Sequence, residues 1–216
     1  MGKMDEIFKK SRIFLDFLLY WKKKGGAIML DFRKITLADE EAYREFEAVM
    51  LEDKKVNPHV ELEYEDDFEK IVRRSAQSEL KQEGQTWSTY TKYYAFLDEK
   101  IVGFVICFWE MDHPDCQTLG HVDYMVAPAF RRRGLATAFV NFALDQYRKK
   151  GITSILIATD QDNLASRGLL EKMGGQLVAL EDIDYQGQKR QSARYRLATS
   201  WAKLAEKRFQ YDIIIL

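Results

Sequence analysis

The chain has 216 residues, 46% of them hydrophobic and 31% charged, with a formal net charge of −1. That length can bury one sizeable core, and the even balance excludes recruitment to nucleic acid or a membrane by net charge. Two cysteines exclude a disulfide framework and fit reduced cytoplasmic thiols; three scattered histidines offer no metal-ligand spacing, so no metal is expected.

Residues 1–28 hold seven Lys/Arg against three Asp/Glu. Their apolar stretch Ile13 to Trp21, interrupted by Asp16, is too short for a membrane span and lacks a cleavage site. A basic amphipathic helix lying on a surface is one reading. The favoured one is that translation begins at Met29, because Lys24-Gly25-Gly26 can be encoded by a bacterial ribosome-binding sequence; residues 1–28 are then a non-native leader, and the intact mass of native protein tests this. Leu30 to Thr36 reads as a strand. Thr36, Asp39 and Glu40 open a helix to about Asp53, with Ala42, Phe46, Val49 and Met50 on one face, and Asn57-Pro58 breaks it. Asp66 to about Glu83 reads as a second amphipathic helix carrying Phe68, Ile71, Val72 and Leu80. Lys92 to Leu97 and Lys100 to Trp109 form a hairpin across Asp98-Glu99, with Cys107 in its core. An alternating run from Gly120 to Val126, a helix from Leu135 to Lys150, a strand from Ser154 to Asp160 and a helix from Leu164 to Met173 follow. Strands near Gln176 to Leu180 and Ser192 to Ala198 complete a domain over 29–199. In the tail, 200–216, Asp212 to Leu216 is apolar and β-prone and is expected to pack on the domain or a partner subunit.

The most informative segment is Arg131-Arg132-Arg133-Gly134-Leu135-Ala136, between the strand ending at Ala127-Pro128 and the helix from Leu135. The first amides of a helix lack partners within it, and the peptide dipoles place partial positive charge there. Gly134 lets the backbone approach a ligand, and arginines add charge-assisted contacts to phosphate oxygens. The segment reads as a pyrophosphate cradle; the bland alternatives are a solvated turn or a nonspecific nucleic-acid patch.

Together with the next strand and helix, this segment resembles the GNAT superfamily, Gcn5-related N-acyltransferases that use acetyl-coenzyme A. Their loop, Arg/Gln-x-x-Gly-x-Gly/Ala, is matched by Arg131, Gly134 and Ala136, and the preceding Val-x-Pro by Val126 and Pro128. A later Asn-x-x-Ser/Ala is matched by Asn163 and Ser166. The run Asp160, Asn163, Ser166, Glu171, Lys172, Gly174 and Gly175 looks like a bacterial branch of predicted acetyltransferases. One departure stands out: Leu170 occupies the position where many relatives carry a tyrosine that protonates the leaving thiolate. The resemblance implies an α/β (α+β) GNAT fold, a mixed central sheet of six to seven strands flanked by about four helices, in the order β-α-α-β-β-β-α-β-α-β-β.

The resemblance further implies that two central strands splay and that the pantetheine arm pairs with Tyr124, Met125 and Val126 as an added strand. The pyrophosphate would bind the amides of Arg132, Arg133, Gly134, Leu135, Ala136 and Thr137, and Asn163 and Ser166 would face the pantetheine. An amine would attack the thioester directly, with backbone N–H near Val126 holding the oxyanion. An amine of pKa about 10.4 needs a proton acceptor; candidates are Asp123, His121 and Glu110. Tyr124 and Tyr195 are candidate acids. The expected function is therefore acetyl transfer from acetyl-CoA to an amine of a small molecule or peptide, in a cytoplasmic bacterial enzyme with no nucleic-acid partner and with homodimerisation open. A non-catalytic acyl-CoA sensor or scaffold is the alternative. Acids at Glu61, Glu63, Glu65, Asp66 and Asp67 point to a cationic acceptor or to a solvated helix face.

Overall fold

Two antiparallel hairpins and the helices packed on them organise the chain. The computed structural model describes residues 28–185 and 187–200 and the backbone of 213–215; the leader and most of the tail lie outside the described residues. The described strands are β1 (Ile28–Arg33), β2 (Tyr90–Leu97), β3 (Lys100–Phe108), β4 (Val122–Val126), β5 (Ser154–Asp160), β6 (Gln176–Tyr185), β7 (Gln188–Ala198) and β8 (Ile213–Ile215). The described α-helices are α1 (Glu40–Lys54), α2 (Phe68–Gln77), α3 (Pro114–Leu119), α4 (Leu135–Lys149) and α5 (Leu164–Lys172). The architecture is the expected mixed α/β fold, with eight strands rather than six or seven. They form two sheets, β4-β3-β2-β1-β8 and β5-β7-β6. β8 runs parallel to β1, so the backbone of 213–215 adds an edge strand to the larger sheet.

Local chemistry accounts for most boundaries. Asp39 accepts from the Thr36 amide (2.8 Å) and hydroxyl (2.7 Å) and from both Arg33 guanidinium nitrogens, which fixes the entry to α1. Asp98 and Glu99 both take positive φ, the twist that a tight hairpin turn between β2 and β3 requires. Asp67 caps α2 through the Lys70 amide. That helix ends at Gln77, short of the expected Glu83, because the Ser78 carbonyl accepts from Tyr90 and the chain turns into β2. Leu80, expected on the buried face, is consequently exposed.

The core lies between the larger sheet and the helices on its two faces. Phe46 of α1 packs against Tyr94 and Phe104 on one face; Phe142 of α4 stacks on Phe32 at 4.2 Å on the other. Cys107 is buried there as a core residue, its thiol pushed up to about 12 by burial. β6 is different: none of its residues is buried and most are exposed, so it is held chiefly by its ladder to β7.

Candidate active site

The two sheets touch at one place and part from there. β4 is the edge of the larger sheet and β5 the edge of the smaller. Among the described residues the bridge between them is Gly120–Ile157, beside which the His121 amide donates to the Leu156 carbonyl at 2.7 Å. Gly120 sits at φ 87, and a Cβ there would meet Ala158 N at 2.7 Å and Ile157 Cα at 3.0 Å. Only glycine permits that approach. The His121 side chain seals the junction. Its Nδ1 accepts from the Leu156 amide (3.0 Å), which leaves Nε2–H to donate to the Met111 carbonyl (3.0 Å), and the residue is 1% exposed. Alternation along the strand suggested His121 as a base beside Asp123; instead both ring nitrogens are engaged by backbone, and the residue holds the strands together.

Beyond the junction, β4 presents a free edge. The bonds Phe108 N–H to His121 O and Ala127 N–H to Val102 O set the ladder parity. Asp123 and Met125 therefore turn their backbone groups to β3, and Tyr124 and Val126 turn theirs into the gap. The Val126 carbonyl is taken by Arg131 Nε at 3.0 Å, which leaves the Val126 N–H and both Tyr124 groups along the opening.

The basic turn closes the wide end of the gap. After a short 3-10 turn at Pro128–Phe130, Arg132 takes φ 62 and Gly134 takes φ 85, swinging the chain into α4. Gly134 caps that helix without a side chain, no acid lies in the first turn, and the first bond closed is Ala138 N–H to Gly134 O. Amides of the first turn through Leu135, Ala136 and Thr137 are left pointing outward. The three arginines divide the work. Arg131 is clamped by both carboxylate oxygens of Asp53 at the end of α1, so its guanidinium braces the loop rather than standing ready for a phosphate. Among the described residues Arg132 and Arg133 make no ion pair.

The other wall is α5. Asn163 caps it, its Oδ1 accepting from the Ser166 amide at 3.1 Å, and Ser166 Oγ lies 2.7 Å from the Tyr124 hydroxyl. That contact spans the gap from β4 to α5. Burial pushes the Tyr124 phenol up to about 12, against the Ser166 hydrogen bond. Leu170 is fully buried in the core. Tyr195 is also enclosed, its hydroxyl accepting from Arg167 and donating to Glu171, so it is committed elsewhere.

Asp123 faces the opposite side of β4. It shares a row with Ile106 and Lys92, which are paired across β3 and β2. Its carboxyl is exposed, yet the protein groups crowded around it displace part of its hydration. That desolvation raises its pKa, with Glu61 adding to the effect and Lys92 opposing it. Lys92 is half-buried with its Nζ 3.8 Å from the Phe104 ring centroid; desolvation pulls it down to about 8. Glu110 is not part of this group, since it pairs with Lys81 and accepts from the Thr89 amide.

Residues that spacing alone did not single out complete the rim. The α1–α2 loop crosses to the smaller sheet, where Glu61 pairs with Arg190 and accepts from Tyr185, and His59 Nδ1 lies 2.8 Å from Asp160. His59, Asp160 and Asp162 bring ligand atoms within 4.8 Å of one another. No sequence spacing announces that cluster, because 101 residues separate His59 from Asp160.

The site is thus a strand edge opened by splaying, with unpaired helix amides and, among the described residues, two unpaired arginines at its end. The chain belongs to the acetyltransferase (GNAT) family, whose model matches residues 50–175. Its fold is similar to that of a GNAT-family acetyltransferase from Bacillus anthracis (TM-score 0.59, 15% identity, covering 81% of this chain and 97% of that one). It is also similar to the spermidine/spermine N-acetyltransferase SpeG from Vibrio cholerae (0.56, 14%, 82% and 98%). A third is RimL, a ribosomal L7/L12 α-N-protein acetyltransferase in complex with coenzyme A (0.56, 16%, 78% and 93%). No curated protein sequence matches this chain. Among the described residues no helix is long and apolar enough to cross a membrane.

Proposed function

We propose that this protein transfers acetyl from acetyl-CoA directly to an amine. The observation that carries the reading is the free β4 edge at Tyr124 and Val126 running into the unpaired amides that open α4. The two features fit the two ends of one substrate: a pantetheine amide chain that pairs like a strand, and a pyrophosphate that needs N–H donors. The Arg132 and Arg133 charges add to the cradle, and Asn163 and Ser166 line the pantetheine.

The attacking amine must be neutral. Asp123, whose raised pKa makes it a stronger base than an ordinary carboxylate, takes its proton directly or through water. The nitrogen lone pair then forms a bond to the thioester carbon, and the carbonyl electrons move to oxygen, where the Val126 N–H stabilises them. Collapse breaks the C–S bond. The nitrogen, left cationic by its attack, sheds its second proton to water, while the Tyr124 hydroxyl, oriented by Ser166, protonates the departing thiolate from the face opposite Asp123 and is itself reprotonated from water. This chain thus supplies from β4 the phenol that Leu170 cannot.

A binding-only acyl-CoA domain is the second reading, and the buried Leu170 is what favours it. Thiol release separates the two. With acetyl-CoA and a panel of amines, an acetyltransferase releases free CoA and yields an acetylated amine by mass spectrometry. Tight acetyl-CoA binding with no thiol released by any amine would establish the second reading.

A further inference from the structure

The acceptor side of the cleft carries one charge of each sign on a single sheet face. Lys92, Ile106 and Asp123 occupy adjacent positions across β2, β3 and β4, so their side chains leave the same face. Neighbouring strands lie about 4.8 Å apart, which puts the Lys92 and Asp123 backbones about 10 Å from each other. Among the described residues neither side chain makes an ion pair. Lys92 lies over the rings of Phe104 (3.8 Å) and Tyr94 (5.1 Å) instead of reaching a carboxylate.

The acids expected to draw a cationic acceptor are mostly spent. Glu61 pairs with Arg190, Glu65 with Lys70 and Arg74, Asp66 accepts from Tyr64, and Asp67 caps α2. On the sheet face itself, the row of Lys92, Ile106 and Asp123 offers a ligand one carboxylate and one ammonium. A polyamine would bring its second positive charge against Lys92. A sheet face with a carboxylate at one end and an ammonium at the other matches a ligand of the reverse polarity.

We infer that the acceptor is an amine that also bears a carboxylate, an amino acid or an amino-acid-like metabolite, with its amine at Asp123 and its carboxylate at Lys92. The inference rests on the acetyltransferase reading above. Charge-assisted pairing of the carboxylate tightens binding and aligns the amine with the thioester, so it acts on KM first.

The test compares matched amines in the thiol-release assay: phenylalanine with phenethylamine, lysine with cadaverine, and spermidine as the polycation, with the acetyl-CoA-induced melting shift measured alongside. The carboxylated member of each pair should show about 10- to 100-fold higher kcat/KM, carried mainly by KM. Lys92→Met should bring that ratio close to one, and Lys92→Arg should restore much of it. Equal or better use of phenethylamine, cadaverine or spermidine would overturn the inference while leaving the acetyltransferase reading intact. An acetyl-CoA-binding protein that turns over none of these amines would also overturn the inference, and would favour the binding-only reading over acetyl transfer. Failure to bind acetyl-CoA would instead remove the reading beneath it, and the inference with it. The wild-type ratio decides the matter even if a variant fails to fold.

Discussion

Replacing Lys92 with Met is expected to make the protein more stable and less discriminating. Desolvation pulls the ammonium from 10.5 to about 8, and at about 1.36 kcal/mol per pH unit that displacement is worth about 3 kcal/mol against the folded state at neutral pH. The attraction to Asp123 is already contained in that displacement. The ring contact with Phe104 at 3.8 Å returns about 1 kcal/mol. Met keeps the length and the apolar stem, so Lys92→Met should gain about 2 kcal/mol, or roughly 4–8 °C in melting temperature for a chain of this size. The folded-state pKa lies below the unfolded one, so the penalty is full below about pH 8 and vanishes above about pH 10.5. The advantage of the Met variant should accordingly shrink to about half or less by pH 9.5. Urea unfolding of both proteins at pH 7 and pH 9.5 measures this. A variant less stable than wild type, or a gain independent of pH, would refute the claim that a desolvated charge is kept here at a cost to stability. Residues retained on those terms are usually there for a ligand.

Three further outcomes are expected. Tyr124→Phe removes the phenol but not the ring and should lower kcat about 10- to 100-fold with little change in KM for acetyl-CoA; an unchanged kcat would mean that the thiolate leaves unaided. Asp123→Asn should abolish the rise of kcat/KM as pH climbs through the carboxyl's raised pKa, because the deprotonated form is the base; an identical pH profile would remove Asp123 from the mechanism. Gly120→Ala places a methyl 2.7 Å from the Ala158 amide nitrogen at φ 87, and should cost about 2–4 kcal/mol in unfolding experiments and weaken acetyl-CoA binding. Wild-type stability in that variant would show that the sheets are not pinned at this point.

The segment from β4 to α5 was legible in the sequence because local signals punctuate it. Pro128 stops β4, Gly134 takes the positive φ that opens α4, and Gly174 takes the one that follows α5. α3 was missed although His113 caps it and Pro114 stands at its first turn. Six residues are too few to show a helical period. β6 and β7 run longer than expected because Glu181, Asp182 and Asp184 erase the alternation on a strand exposed along most of its length. The acceptor side was illegible for a different reason. Lys92 and Asp123 meet only through two ladders, and Glu61 reaches Arg190 only through the fold. Alternation does set His121 in step with Asp123 on the ladder to β3, but contacts made only by the fold, the Leu156 N–H and the Met111 carbonyl, occupy both of its ring nitrogens.

The central claim is that the β4 edge and the Gly134 turn together hold acetyl-CoA, and the melting temperature with and without that ligand tests it most directly, with ATP as the control. At a hundred times its Kd, acetyl-CoA should add about 2.7 kcal/mol of stability. Gly134→Glu, which sets a carboxylate and a strained backbone in the cradle, should lose that gain. No shift with acetyl-CoA, or an equal shift in Gly134→Glu, would contradict the claim.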